Sequence, residues 1–324
     1  MPLLRTLSLL LTSLLGGCSA LAPVNWLVPN SDYKALTDLS YGELPRQRLD
    51  VYLPLDLKAN APIVVFYYGG SWRNGERADY RFVGQALASR GIITVIPDYR
   101  LYPEVRYPDF LRDSAKALAW ARANQSDWQS SSGPLFVMGH SAGAYNAAML
   151  ALDPRWLAQE QLAPEVLSGW IGLAGPYDFL PIINPNVQPV FYHPQTPVDS
   201  QPLVHASAAS PPALLLAGAD DSLVDPQRNT RQLAEALREN KVTTQSAVLN
   251  DMGHIKILLT LAAPFQDWAP VIEQVNCFVS RHGKRDGGQR VSTDSAVASG
   301  CTNQEETARA RKSTTTANGT SRKP

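Results

Sequence analysis

Gly139-His140-Ser141-Ala142-Gly143 matches G-x-S-x-G, a pattern whose chemistry is nucleophilic attack by a serine hydroxyl. It stands directly after the apolar run Leu135-Phe136-Val137-Met138 and directly before the Ala-rich stretch 144–152. A strand-to-helix turn this tight strains the backbone and pushes the hydroxyl outward. The flanking glycines leave the room the turn needs, and a helix N-terminus behind the serine favours developing negative charge. The pattern is short enough to arise by chance, so its partners decide. A serine hydroxyl is a poor nucleophile without a base, and a nucleophile on such a turn is followed along the chain by an acid and then by a histidine. Of the five histidines, His140 lies inside the turn. His193 and His205 precede any acid on the next strand, and His282 opens a basic tail. His254, in Asp251-Met252-Gly253-His254, is the one that follows the last strand. For the acid, Gly218-Ala219-Asp220-Asp221-Ser222-Leu223-Val224 offers Asp220 and Asp221 just beyond a strand, with Asp225 further on. The acid's work is to hold the imidazole in the right tautomer and to stabilise its charged form.

Acyl transfer also needs donors for an oxyanion. The N–H of Ala142, just after the nucleophile, is one candidate. Tyr68-Gly69-Gly70-Ser71-Trp72 follows a buried strand and supplies Gly70 and Ser71 as the others.

These residues need elements to hold them. Residues 33–41 and 46–53 read as a strand pair joined by a turn. Apolar strands follow at 63–68, 92–96, 135–138, 170–173, 214–216 and 242–249, separated by helical stretches at 79–90, 109–124, 144–152 and 226–240. Further helices are expected near 255–262 and 267–280. Apolar strands alternating with helices predict a mainly parallel, mixed sheet covered on both faces. The Pro-rich segment 175–205 predicts a short lid, with Tyr177, Phe179, Phe191 and Tyr192 as candidate lining.

Taken together, Tyr68-Gly69-Gly70-Ser71-Trp72, Asp98-Tyr99-Arg100-Leu101, the turn at Ser141, Gly218-Ala219-Asp220-Asp221 and Gly253-His254 resemble, in order and spacing, the α/β-hydrolase carboxylesterases related to hormone-sensitive lipase and to the bacterial kynurenine formamidase and feruloyl-esterase-like group. The resemblance covers residues 33–280. It implies an α/β-hydrolase fold with about eight strands and a short lid, and hydrolysis of a small-molecule acyl ester without a cofactor or metal. It picks Asp221 through the spacing G-x-x-D-x-x-V, which makes Ser141, Asp221 and His254 the expected triad. Asp113 and Arg100 take structural roles in it. Tyr68 departs from the pattern, since such families carry a histidine there. A formamidase would use the same triad, and a catalytically silent envelope lipoprotein on this fold is the reading from another class.

Hydrophobic residues make up 44% and charged residues 18% of the 324, with a formal net charge of +0, so bulk charge gives no reason to expect a nucleic-acid partner. Arg5 and the Leu-rich run 7–15 read as a signal peptide, too short to span a bilayer. Leu15-Gly16-Gly17-Cys18 resembles a lipobox, which implies lipidation of Cys18. Ser19 then implies an outer-membrane lipoprotein facing the periplasm, with a secreted protein as the alternative. The expected organisation is a leader over 1–18, a tether over 19–32, the hydrolase domain over 33–280 and a disordered polar tail over 281–324. Cys277 and Cys301 could pair in an oxidising compartment; the reading preferred is a buried Cys277 and an unpaired Cys301.

Overall fold

Short runs of Val, Ile and Leu bounded by glycine, proline and polar turns give the strands. The computed structural model describes residues 21–283. Its strands are β1 (Tyr33–Ser40), β2 (Arg48–Pro54), β3 (Ile63–Tyr67), β4 (Ile93–Pro97), β5 (Leu135–His140), β6 (Leu167–Leu173), β7 (Ala213–Gly218) and β8 (Thr244–Leu249). They form one sheet in the order β1-β2-β4-β3-β5-β6-β7-β8. β1 pairs antiparallel with β2, and β2 with β4. Every pairing from β4 to β8 is parallel. This is the mixed, mainly parallel sheet expected. β3, β4 and β5 are buried along their whole length, as strands covered on both faces must be.

The helices are α1 (Ala22–Trp26), α2 (Arg81–Ala88), α3 (Asp109–Ala123), α4 (Ala142–Leu152), α5 (Pro154–Gln159), α6 (Gln232–Glu239), α7 (Lys256–Leu259) and α8 (Val271–His282). Every residue of α4 is buried, so this helix is apolar all round and lies in the core. It packs on β3, β5 and β6, flanked by α3 and α5, while α2 and α8 pack on each other and on the sheet. The sequence reading missed α5, although Asp153-Pro154 signals it: the Asp153 carboxylate accepts from Arg155 N–H at 3.1 Å and Pro154 takes the first turn.

Three expectations need correction. Residues 22–30 are not a free tether. Val24 and Val28 join the core, the Asn25 amide donates to Ala78 O at 2.9 Å, and its Oδ1 accepts from Phe82 N–H at 3.0 Å. Tyr80, at the start of α2, offers no side-chain cap, so Asn25 supplies from a distance the acceptor that this helix end lacks. The tail begins later than residue 281, because α8 runs to His282; residues 284–324, Cys301 among them, lie outside the described residues, as does the leader through Cys18. Cys277 is half-buried and disulfide-bonded, not a buried free thiol; its partner is outside the described residues.

The Asp98–Pro108 loop and α3 form the expected brace. Asp113, 1% exposed, accepts from Arg100 Nε at 2.8 Å, Arg100 Nη2 at 2.9 Å, Arg100 N–H at 3.0 Å and Gln47 Nε2 at 2.9 Å. Removing one side of such a pair leaves an uncompensated buried charge. Asp113→Ala is therefore expected to lower the unfolding free energy by about 3–5 kcal/mol, read as a shift in the urea unfolding midpoint.

Candidate active site

The turn between β5 and α4 puts Ser141 at φ 56°, ψ −123°, a conformation that a non-glycine residue holds only when its surroundings force it. The surroundings do so by close packing. A Cβ at Gly143 would meet Tyr67 O at 2.0 Å, and one at Gly139 would meet Gly143 O at 2.1 Å. The glycines of the motif are thus there for steric clearance, and the hydroxyl is turned out of the sheet.

Two further loops deliver the partners. His254 follows β8, and its Nε2 lies 2.8 Å from Ser141 Oγ. Its Nδ1 lies 2.7 Å from Asp221 Oδ2. Asp221 follows β7 and is held by its other oxygen, which accepts from the N–H groups of Leu223 and Val224, each at 2.9 Å. That leaves Oδ2 for the imidazole. The partners fix the tautomer: Nδ1–H donates to the carboxylate, and Nε2 accepts from the serine. Burial would raise the Asp221 carboxyl, but the hydrogen bonds from His254 and from the Val224 and Leu223 amides outweigh it and hold the pKa below the ordinary value. Asp220 is exposed, and Asp225 caps the turn after it through Gln227 N–H and Arg228 N–H. Of the three aspartates, only Asp221 meets the histidine.

The Gly69-Gly70 loop lies against Ser141, since a Cβ at Gly69 would be 3.0 Å from Ser141 Cβ. Gly70 has φ +121° and a Cβ there would meet Asn74 O at 2.1 Å; Ser71 and Trp72 both carry positive φ, 55° and 57°. Gly70 O accepts from the N–H groups of Arg73 and Asn74. The N–H groups of Gly70 and Ser71 find no backbone acceptor among the described residues. Ala142 opens α4, where N–H groups have no acceptor within the helix. The three candidate donors thus belong to the two segments that flank Ser141. Tyr68 replaces the usual histidine without loosening the loop: wholly buried, it donates to Asp98 Oδ1 at 2.8 Å, accepts from Arg46 Nη2 at 2.8 Å, and its own carbonyl accepts from Tyr99 Oη at 2.7 Å.

The segment 175–205 is fastened more firmly than its composition suggests. Asn229 Oδ1 accepts from the N–H groups of Tyr177 and Asp178, and Gln201 Oε1 from that of Phe179. Tyr177 and Phe191, expected as lining, are fully buried, whereas Tyr192 is 43% exposed. Phe191 packs edge-on against Trp72 at 4.8 Å.

The BD-FAE family model matches residues 49–237, more than half of the chain, and spans Gly70, Ser71, Ser141 and Asp221. The chain belongs to the BD-FAE family. It is 32% identical over 237 residues to a probable carboxylic ester hydrolase, LipM, of Mycobacterium tuberculosis, covering 67% of this chain and 55% of that one. It is 30% identical over 151 residues to the kynurenine formamidase of Danio rerio, covering 47% of this chain and 49% of that one. The chain spans about half the length of these relatives. Among solved structures, a thermophilic esterase from Thermogutta terrifontis, described with propionate bound, superposes with TM-score 0.64 at 20% identity, over 80% of this chain and 98% of that one. A truncated carbohydrate esterase from gut microbiota gives TM-score 0.65 at 15% identity, over 79% of this chain and 99% of that one. These structures share the α/β-hydrolase fold.

Sequence reasoning set His140 aside because it sits inside the turn, yet the structure gives it a place in the site. Its ring is buried, its Nε2 lies 2.8 Å from His254 O, and the two imidazole rings are 4.9 Å apart. It ties the loop that carries His254 to the turn that carries Ser141. Only the pairing of a turn histidine with a loop histidine hinted at this. Burial, and then the charge of a protonated His254, depress its pKa to about 3. An unfolded His140 takes up a proton near pH 6.5, so below that pH the unfolded chain binds the extra proton. Its contribution is intact above pH 6.5 and is lost as the pH falls toward 3, at ~1.4 kcal/mol per pH unit. Urea unfolding of wild type and His140→Gln between pH 7 and 4 is expected to show that one-proton component in the wild type and its loss in the variant.

Proposed function

We propose that this protein is a serine esterase that cleaves carboxylic ester bonds through Ser141, His254 and Asp221. The observation that carries the reading is the unbroken run of hydrogen bonds from Ser141 Oγ to His254 Nε2 at 2.8 Å and from His254 Nδ1 to Asp221 Oδ2 at 2.7 Å. His254 takes the proton from Ser141 as the oxygen attacks the ester carbonyl. The N–H groups of Gly70, Ser71 and Ala142 stabilise the tetrahedral oxyanion, and a donor of this kind contributes ~10²–10³-fold to the rate. His254 returns the proton to the departing alkoxide, leaving an acyl-serine. A water molecule then gives a proton to His254 and attacks the acyl group; as the acyl–oxygen bond breaks, His254 passes that proton to the Ser141 oxygen, which frees the acid and restores the hydroxyl. Asp221 stays ionised throughout and stabilises the imidazolium; its depressed pKa suits that role.

The names of the relatives support an ester as substrate, and the likeness to a kynurenine formamidase makes a formyl amide the natural second substrate to try. The Leu-rich leader and Leu15-Gly16-Gly17-Cys18 support the companion proposal, that Cys18 is lipidated and holds the enzyme in the cell envelope.

On p-nitrophenyl acetate, Ser141→Ala is expected to fall to background and Asp221→Asn by ~10⁴-fold in kcat, with folding checked by circular dichroism. A fluorophosphonate should label the wild type and leave Ser141→Ala unlabelled. A folded wild type that neither turns over the ester nor takes the label would favour the catalytically silent reading, while turnover of N-formylkynurenine in preference to esters would make it a formamidase. In cells, Cys18→Ala is expected to move the protein from the membrane fraction to the soluble one.

A further inference from the structure

Next to the oxyanion loop stands a group of side chains that the reaction steps leave unused. Arg73 follows Trp72 directly, and its N–H donates to Gly70 O at 3.0 Å. Its guanidinium lies 4.6 Å from the centroid of the Tyr102 ring. The Arg106 guanidinium lies 5.7 Å from the same ring and 5.3 Å from that of Tyr192. Trp72 gathers the group: its carbonyl accepts from Tyr102 N–H at 2.8 Å, and its ring meets Phe191, the neighbour of Tyr192. The oxyanion loop, the loop after β4 and the segment 175–205 therefore converge there, presenting two guanidinium groups and two tyrosine rings.

The patch carries two guanidinium charges close together, with no carboxylate among the described residues to balance them. Arg46, Arg77, Arg100 and Arg155 all pair with aspartates. Arg73 and Arg106 pair with no carboxylate among the described residues. Among the described residues the Arg73 guanidinium donates to one backbone oxygen, Asn186 O, at 3.3 Å, and Arg106 is exposed. Two guanidinium groups over one ring repel each other. An anion shared between them removes that repulsion and gains charge-assisted, fork-shaped hydrogen bonds. Tyr192, 43% exposed and at φ 58°, adds a ring face on which a flat or saccharide ring can stack.

We propose that Arg73 and Arg106, with Tyr102 and Tyr192, form an anion subsite that selects esters bearing a carboxylate on the ring joined to the scissile acyl group. The inference rests on the esterase reading and deepens it. The carboxylate can belong to an aromatic acid or to a sugar acid, and the experiment has an arm for each.

The test compares kcat/KM within two matched pairs, 4-acetoxybenzoate against phenyl acetate and an acetylated methyl glucuronide against the acetylated methyl glucoside. The proteins are wild type, R106Q and R73Q/R106Q. The wild type is expected to prefer the carboxylate member of at least one pair by about tenfold or more, mainly through KM, with the preference shrinking as salt is raised. R106Q should reduce that ratio and the double variant should bring it near one. R106Q alone decides the matter if the double variant does not fold, because the Arg106 guanidinium makes no hydrogen bond with the described residues. A wild-type ratio of one or less in both pairs, or a ratio unchanged in R106Q, overturns the subsite. Hydrolysis of phenyl acetate with labelling of Ser141 keeps the esterase reading standing in that event; loss of both sinks the esterase reading and the subsite with it.

Discussion

A serine at φ 56° is held by compression and not by preference. The backbone of the turn at Ser141 is trapped between the carbonyls of Tyr67 and Gly143 and the first turn of α4, with no space for another carbon on either side. Everything else in the site refers to this point. The sheet order places β3 beside β5, which sets the loop after β3 against the turn. It places β7 and β8 further along the same edge, where their loops bring in Asp221 and His254. A parallel sheet suits the task because the C-terminal ends of consecutive strands open on one side, so three distant segments of chain can meet there.

Rigidity of the loop after β3 is obtained differently. Ser71 and Trp72 both occupy the left-handed region, and such residues persist when the surroundings over-determine them. Here the surroundings are polar below and aromatic above. Asp98, Arg46 and the Tyr68 hydroxyl form a partly buried network, in which the tyrosine does the bracing. Trp72 is clasped by Phe110, Tyr145 and Phe191, and its Nε1–H donates to Asn146 on α4 at 3.0 Å.

Much of this was legible in the residues. Strands with strong apolar runs were placed within a residue or two, apart from β6, which starts three residues earlier than its apolar run, because burial on both faces leaves a clear composition. Ser141 and His254 followed from chain order, whereas the choice of Asp221 over Asp220 needed the spacing of a known family, since adjacent aspartates differ only in which way each side chain points. What stayed hidden was of another kind. Asn25 caps α2 across 57 positions of chain, and His140 bonds to a carbonyl 114 positions away. Contacts at such separations have no local pattern. The packing of residues 22–30 was missed for the same reason: a short, proline-bearing stretch reads as a link until its anchoring side chains are seen.

The bond between His140 and the His254 carbonyl also bears on how accurately the site can be built. Ser141 and His254 are separated by 113 positions, and an error in placing one relative to the other would accumulate through several strands, helices and turns if each were located from its own end. A direct tie between the neighbour of Ser141 and the backbone of His254 replaces that long chain of tolerances with a single short one. Small shifts elsewhere in the sheet then carry the two residues together, and the gap between Ser141 Oγ and His254 Nε2 is set locally.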